Sequence, residues 1–134
     1  MVSCDGFNRI MRSPDKNYRL EKALDYYKKE DYNKAQLLIT DLIPEFRGTK
    51  TNEDLYLKFA YTYYYQKDYY SASQYFKLFT ETFPLSKYAE EASFLTALCA
   101  YFESPRVTLD QGISESALES FQLFINQYPE SELI

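Results

Sequence analysis

Hydrophobic and polar positions alternate along the chain with a helical spacing, and residues 53–84 show this spacing most completely. Apolar residues recur there every three or four positions in two blocks, as in amphipathic helices. Ala60 in the first block and Ala72 in the second are small residues at which two helices can approach closely. The stretch is therefore predicted to form two helices joined by a turn, and Pro84 to end the second helix.

The bulky residues of this stretch occupy the landmark positions of a tetratricopeptide repeat (TPR). These residues are Tyr56, Phe59, Tyr63, Tyr69, Phe76 and Phe79. A shift of 37 residues toward the N-terminus superposes Ala23 on Ala60 and Ala35 on Ala72. The same shift toward the C-terminus superposes Ala97 on Ala60. The pattern of one helix pair therefore occurs three times.

These copies predict an all-α fold, a TPR helical solenoid of three helix-turn-helix repeats. The repeats are assigned to residues 16–49, 53–86 and 87–131. Only three glycines occur in the whole chain, which favours long helices over a turn-rich β-sheet protein.

The third repeat contains an insertion. Ala117 matches Ala72 at an offset of 45 residues instead of 37, so eight extra residues precede the second helix of this repeat. We place the inserted loop at residues 103–112, where one proline and one glycine interrupt the helical pattern. Insertions into repeat arrays lie in loops, often on a face that binds a partner, and Arg106 and Asp110 are the candidate partner contacts.

Residues 1–15 are predicted to be a lipoprotein-like N-terminal tether. Residues 5–14 have no clear period and are expected to be extended or to form a short turn, with a helix beginning near Asp15 or Lys16. The phrase Met1-Val2-Ser3-Cys4 is similar to the end of a lipoprotein signal, in which the cysteine becomes lipid-modified. An ordinary start followed by an unrelated cysteine is the alternative.

At the other end, the last predicted helix presents Phe121, Phe124 and Ile125 shortly before the sequence stops. A stacked array needs a polar outer cap, and no further residues follow to cover the apolar side chains that point onward. We therefore expect the natural chain to continue into further repeats, or this end to pair with another subunit.

Composition argues against several classes of function. The net charge of −5 disfavours a general affinity for nucleic acid. Because the chain has no histidine and only two distant cysteines, we expect no metal site, no cofactor and no catalytic residues. The carboxylates of Glu90 and Glu91 are better explained by a helix start, and Cys99 by burial in an apolar helix.

Tyrosine is unusually frequent, with 15 residues and no tryptophan. In a TPR stack the first helices of the repeats line a concave groove, and large rings with a hydroxyl suit the recognition of peptides. The predicted peptide-binding groove consists of Tyr27, Leu57, Tyr61, Tyr64, Tyr65, Phe94, Leu98 and Tyr101. The alternative is that these rings form the core between repeats. The tyrosines between residues 61 and 65 argue against that alternative, because they cannot all be buried with unsatisfied hydroxyls.

Several phrases of the chain resemble the BamD (YfiO) family, the TPR lipoproteins of the bacterial outer-membrane β-barrel assembly machine. The inserted loop supplies the most specific match, Ser104-Pro105-Arg106 followed by Leu109-Asp110-Gln111. The other matching phrases are residues 22–24, 31–35, 47–49, 68–73, 75–77, 117, 121–124 and 128–129. The resemblance covers nearly the whole chain.

This resemblance implies a non-enzymatic scaffold of the outer-membrane β-barrel protein assembly (BAM) complex. The implied partners are a BamA-like barrel subunit, accessory lipoproteins and unfolded outer-membrane proteins. It also implies a lipid anchor at Cys4 that holds the protein on the periplasmic face of the outer membrane. Members of the family usually carry five repeats, so we expect the region that docks on the barrel subunit to lie beyond Ile134 and an export leader to precede Met1.

Two other functions remain open from the sequence. A TPR adaptor of the cytoplasm or periplasm would bind a charged tail of a partner protein, and Cys4 would then have no role. A surface lipoprotein that captures glycans would stack sugars on its tyrosines, but such proteins are far longer and carry large insertions. An export leader that ends in Val-Ser-Cys would exclude the cytoplasmic adaptor.

Overall fold

The computed structural model describes residues 2–103 and 115–133, with side chains from residue 6 onward apart from residue 116. Over these residues the chain forms seven α-helices and no strand. The helices are α1 (Val2–Met11), α2 (Lys16–Lys28), α3 (Tyr32–Glu45), α4 (Lys50–Tyr65), α5 (Tyr69–Thr82), α6 (Ala89–Glu103) and α7 (Glu115–Gln127). The predicted all-α, TPR-like repeat fold is confirmed. The boundaries of the individual repeats stay a prediction; α4 begins at Lys50, ahead of the predicted start at Glu53.

The chain divides into two compact units, Met1–Gln66 and Lys67–Ile134, which we call unit 1 and unit 2. In unit 1, α3 packs against both α2 and α4. Leu38, Ile39 and Leu42 of α3 are fully buried, together with Leu55 of α4. Their spacing along α3 places one apolar stripe toward the neighbouring helices, as the sequence pattern predicts.

The alanines that define the repeat pattern are fully buried. They are Ala23, Ala35 and Ala60 in unit 1 and Ala72, Ala97 and Ala117 in unit 2. A methyl group is the largest side chain that allows helices to approach closely, and this explains why alanine recurs at these positions.

Aspartates begin three of the helices. The Asp15 carboxylate accepts hydrogen bonds from the backbone N–H groups of Asn17 (3.0 Å) and Tyr18 (3.2 Å), which confirms the predicted start of α2. Asp31 and Asp68 begin α3 and α5 in the same way, each accepting from the N–H group three residues later at 3.3 and 3.2 Å. These side chains satisfy N–H groups that the first turn of a helix leaves without a backbone partner.

The turns before α3 and α5 share a strained backbone. Glu30 has φ of 66° and Lys67 has φ of 65°. Both values lie in the left-handed region, which residues other than glycine seldom adopt. The two residues are related by the 37-residue shift. The turn inside a repeat is therefore built in one backbone form in unit 1 and again in unit 2.

The N-terminal segment is helical as far as Met11, so the prediction of an extended tether or short turn was wrong for residues 5–11, whereas residues 12–14 form the turn before α2. Phe7 and Ile10 lie three positions apart and face the same side of α1. The Phe7 ring meets the edge of Tyr26 in α2 at 5.7 Å, and Ile10 is buried. This short apolar stripe, too brief to show a period in the sequence, stabilises α1 by packing on α2.

A buried arginine holds the connection between α1 and α2. Arg19, only 7% exposed, donates from Nε to the Ser13 carbonyl (2.8 Å) and from Nη2 to Oε1 of Glu45 (2.9 Å). A second contact joins Nη1 to Oε2 of Glu45 at 2.6 Å. The hydrogen bond that Arg19 donates to Glu45 raises the pKa of Arg19, and the same bond lowers the pKa of Glu45. One guanidinium group thus fixes the loop before α2 and the end of α3.

In unit 2, α6 packs against α5 and α7. Phe76 and Phe79 of α5 and Phe124 of α7 are the largest fully buried side chains of this unit. The Ser73 hydroxyl donates to the Thr96 carbonyl at 3.0 Å and joins α5 to α6. Most of the predicted insertion, with Arg106 and Asp110, lies outside the described residues.

Candidate peptide-binding surface

Five tyrosines of unit 1 come together where three helices end or begin. Tyr27 lies in the last turn of α2, Tyr32 opens α3, and Tyr61, Tyr64 and Tyr65 lie in the last two turns of α4. We call these five residues the tyrosine cluster. The 3.6-residue period puts Tyr61, Tyr64 and Tyr65 on one side of α4, and α3 packs between α2 and α4 to bring the other two rings beside them.

The rings of the tyrosine cluster form a continuous series of contacts. Tyr32 stacks on Tyr65 at 4.8 Å between centroids, and Tyr65 stacks on Tyr61 at 5.6 Å. Tyr27 meets Tyr32 edge to face at 5.4 Å, and Tyr64 meets Tyr65 in the same manner at 5.4 Å. Offset-stacked and edge-to-face pairs at these distances are the favoured arrangements of aromatic rings.

Exposure differs across the tyrosine cluster. Tyr65 is 47% exposed, while the other four rings are half-buried. Burial raises the pKa of the Tyr32 hydroxyl, with smaller contributions from Glu30 and Tyr65. Tyr65 is therefore the ring of the cluster that is most accessible to solvent or to a ligand.

One positive charge lies at the border of the cluster. Lys58 Nζ sits 5.6 Å from the centre of the Tyr27 ring and pairs with Asp54 Oδ1 at 3.0 Å, one helical turn away. The ammonium group is attracted by the negative face of the ring. Because Asp54 already neutralises Lys58, the surface offers ring faces and hydroxyl groups more than net charge. Such a surface can pack an aromatic or aliphatic side chain and hydrogen-bond an extended backbone.

The structure brings together four of the eight predicted groove residues, Tyr27, Tyr61, Tyr64 and Tyr65. It places Leu57 differently: this side chain is 7% exposed, so the assignment of Leu57 to an open groove is corrected to a core position. Leucine on a helix gives the same sequence signal on either side of the boundary between groove and core.

The predicted residues of unit 2 differ in exposure. The half-buried Phe94 lies 5.5 Å from Phe124 and 6.3 Å from Phe121 in α7, and its place in the groove stays a prediction. Leu98 is half-buried. Tyr101 is 45% exposed and contacts Phe102 at 5.8 Å, which keeps it a surface candidate.

Tyr32 is a member of the cluster that the groove prediction does not include. The sequence pattern places Tyr32 at the turn between two helices, so it was not assigned to the groove. The 37-residue repeat could have indicated its role. The 37-residue shift relates Tyr32 to Tyr69 and Tyr65 to Phe102, and the Tyr69 and Phe102 rings lie 5.0 Å apart in unit 2. An aromatic residue directly after the capping aspartate thus contacts the end of the following repeat's first helix in both units.

Among the side chains that the structure describes, no group of three or more Cys, Asp or Glu is arranged to hold a metal ion. Burial raises the pKa of the Cys99 thiol to about 12, so this cysteine is protonated at neutral pH, as its predicted role of a small buried hydrophobe requires.

The sequence profile of the YfiO family, described as outer membrane lipoprotein, matches residues 13–133. The chain belongs to this family. The match extends from the loop before α2 through α7 and therefore includes both units and the tyrosine cluster. No individual curated protein sequence gives a significant match.

Membership in the YfiO family, an outer membrane lipoprotein family, agrees with the sequence resemblance. None of the helices in the described part of the chain is long and apolar enough to cross a membrane. The matched region begins after Cys4, and the Cys4 side chain lies outside the described residues, so its lipidation stays a prediction.

Proposed function

We propose that this chain is a non-enzymatic scaffold of outer-membrane β-barrel protein assembly, and that its tyrosine cluster binds extended segments of unfolded barrel proteins. The observation that carries the proposal is that Tyr65 remains 47% exposed while it stacks with Tyr32 and Tyr61. A preassembled aromatic surface loses little side-chain freedom on binding. Family membership supplies the outer-membrane setting.

The proposed client is an extended segment with exposed aromatic residues, as the strands of a barrel protein have before they pair. One aromatic side chain of the client packs against Tyr65, and the Tyr65 hydroxyl bonds with the unpaired backbone of the segment. The neutral pair of Lys58 and Asp54 at the border adds little attraction for a strongly charged client.

Two further parts of the proposal concern the ends of the molecule. Cys4 carries the lipid that anchors the protein to the periplasmic face of the outer membrane. The inserted loop, through Arg106 and Asp110, contacts a BamA-like barrel subunit or an accessory lipoprotein. Mass spectrometry of the protein isolated from membranes tests the first part, since an unmodified Cys4 would contradict it.

Client binding is tested with a fluorescent peptide that alternates apolar and polar residues and ends in phenylalanine. We expect Tyr65→Ala to weaken binding by about tenfold, the effect of losing a central aromatic contact. Tyr61→Ala combined with Tyr64→Ala should weaken it further with helix content intact by circular dichroism. Tyr70→Ala is the matched control, because Tyr70 is 62% exposed on α5 and outside the cluster.

Equal affinities of the Tyr65→Ala and Tyr70→Ala variants would contradict the assignment of the binding surface. If peptides without aromatic residues bind as tightly as the phenylalanine-ended peptide, the chain is better described as a general TPR adaptor.

A further inference from the structure

A basic cleft lies between α1 and α2, away from the residues assigned to client binding. Arg9, Arg12, Ser13 and Tyr18 line it, and its volume is about 600 Å³. Arg9 and Arg12 are three positions apart, so their side chains project from adjacent positions on one side of the segment. Both are exposed. Neither guanidinium group makes an ion pair or hydrogen bond with any side chain that the structure describes.

The cleft differs in charge from the remainder of the chain. The first 22 residues contain five basic and three acidic residues, whereas the whole chain has a net charge of −5. Lys22 adds to the basic side, because its Nζ lies 5.5 Å from the centre of the Tyr18 ring. Two arginines that line the cleft and a lysine beside the Tyr18 ring thus make this a positively charged region of an acidic protein.

The Arg19 contacts give this region a fixed wall. Arg19 holds the Ser13 carbonyl at 2.8 Å, and the Ser13 hydroxyl accepts from the Asp15 backbone N–H at 3.2 Å. Glu45 neutralises the guanidinium charge of Arg19, so Arg19 has a structural role in this cleft. Arg9 and Arg12 are therefore the charged groups available to a ligand.

We propose that Arg9 and Arg12 bind the phosphate groups of anionic phospholipids, so that this end of the molecule lies on the membrane surface. Guanidinium groups match phosphate oxygens in pairs, and the half-apolar ring of Tyr18, 39% exposed, suits the boundary between headgroups and water. The proposed lipid anchor would add to this attachment. Arg9 follows Cys4 by five residues in the same helix, about 8 Å along the axis, which is within one screening length of an anchored surface.

Basic residues beside a lipid anchor strengthen its attachment to an anionic membrane. The arginine cleft would then set the orientation of α1 on the bilayer in addition to retaining the protein there.

Vesicle co-sedimentation of the chain with Cys4→Ser tests the inference without any anchor or client. We expect this protein to bind phosphatidylcholine vesicles that contain phosphatidylglycerol and not those of phosphatidylcholine alone. Arg9→Gln combined with Arg12→Gln should lower the partition coefficient by about tenfold at low salt. The matched control, Lys50→Gln with Lys77→Gln, removes the same charge from two exposed positions elsewhere and should retain most of the binding.

Equal losses in the arginine and lysine variants would overturn the proposal, as would a failure of the Cys4→Ser protein to bind anionic vesicles. Inorganic phosphate is added in a parallel series at matched ionic strength. Release by phosphate where chloride has no effect would show that the cleft recognises the phosphate group, as the proposal requires. Binding of inorganic phosphate without binding of anionic vesicles would identify a site for free anions and overturn the membrane assignment. Because Cys4 is absent and no peptide is present, none of these outcomes depends on lipidation or on the tyrosine cluster.

Discussion

The rings of Tyr32 and Tyr65 stack at 4.8 Å with an interplanar angle of 20°. Tyr32 opens α3 and Tyr65 closes α4, so the stack joins the beginning of one helix to the end of the next. The equivalent residues one repeat later, Tyr69 and Phe102, make a tilted pair at 5.0 Å and 50°. The ring contact therefore recurs in both units, whereas the near-parallel stacking occurs in the pair from the tyrosine cluster.

We expect a double-mutant cycle of Tyr32→Ala and Tyr65→Ala to give a coupling free energy of about 0.5–1.5 kcal/mol, as aromatic pairs do. The free energy of unfolding of the four proteins, from urea titrations, provides the measurement. A second cycle with Tyr18→Ala in place of Tyr32→Ala should show no coupling, because the Tyr18 ring contacts Lys22 instead. Coupling of similar size in both cycles would mean that the stack does not connect α3 to α4.

Acid should destabilise the protein partly through Glu45. Its folded-state pKa lies below the ordinary value of 4.5 because Arg19 hydrogen-bonds the carboxylate. The stability gained from the pair is therefore present above pH 4.5 and is lost as pH falls through the lower folded-state pKa. Glu45→Gln should lower the thermal midpoint at pH 7 and flatten its decline below pH 4.5, compared with Glu21→Gln. Parallel declines in the two variants would contradict this role.

The left-handed turn residues offer a way to stabilise the fold. Replacement of Glu30 or Lys67 by glycine removes the steric cost of positive φ but raises the entropy of the unfolded chain. We expect a net gain of about 0.5 kcal/mol for each substitution by urea unfolding. Lys29→Gly is the control, since Lys29 has φ of −82° and should lose stability. A loss in all three variants would show that the left-handed backbone carries no strain here.

Enlargement of a buried alanine should destabilise the helix packing. Ala72→Leu inserts extra carbon atoms at a fully buried position, with an expected cost of about 1–3 kcal/mol in the free energy of unfolding. Gln74→Leu, two residues away and exposed, makes a matched control with little effect on unfolding. A similar cost at both positions would mean that the small residue at 72 is not required for close packing.

Cys99 should be inert in the folded protein. In a Cys4→Ser background we expect no reaction with a thiol reagent at pH 8 in native buffer, and one equivalent of label in denaturant. Cys99 is fully buried, so the reagent cannot reach its sulfur, and its pKa is raised to about 12, so the thiol is not ionised at pH 8. Labelling at the same rate in both conditions would contradict the burial of the Cys99 side chain.

The helices and their core followed from local signals in the sequence. Ala35, Leu38 and Leu42 repeat at the helical period, and their burial in α3 confirms that part of the prediction. Asp15 marks the start of α2 because its carboxylate can satisfy backbone donors only at a helix beginning.

The features that were missed depend on contacts between residues distant in sequence. Leu57 and Tyr61 lie four residues apart on the same side of α4, yet Leu57 is buried and Tyr61 is part of the tyrosine cluster. Arg19 gave no signal of its own, because its burial depends on Glu45 at the far end of α3. Helix α1 was missed since Phe7 and Ile10 alone make its apolar side, which only the packing on α2 reveals.

The burial of Cys99 has a consequence for how the protein matures. An outer membrane lipoprotein folds in an oxidising compartment, where an accessible thiolate is readily oxidised or captured in a mixed disulfide. Once α6 packs between α5 and α7, burial protects the Cys99 thiol from these reactions, and no disulfide is needed to protect it. The finished fold should therefore be indifferent to the redox state of its surroundings, and oxidative damage at Cys99 should be confined to the time before unit 2 folds.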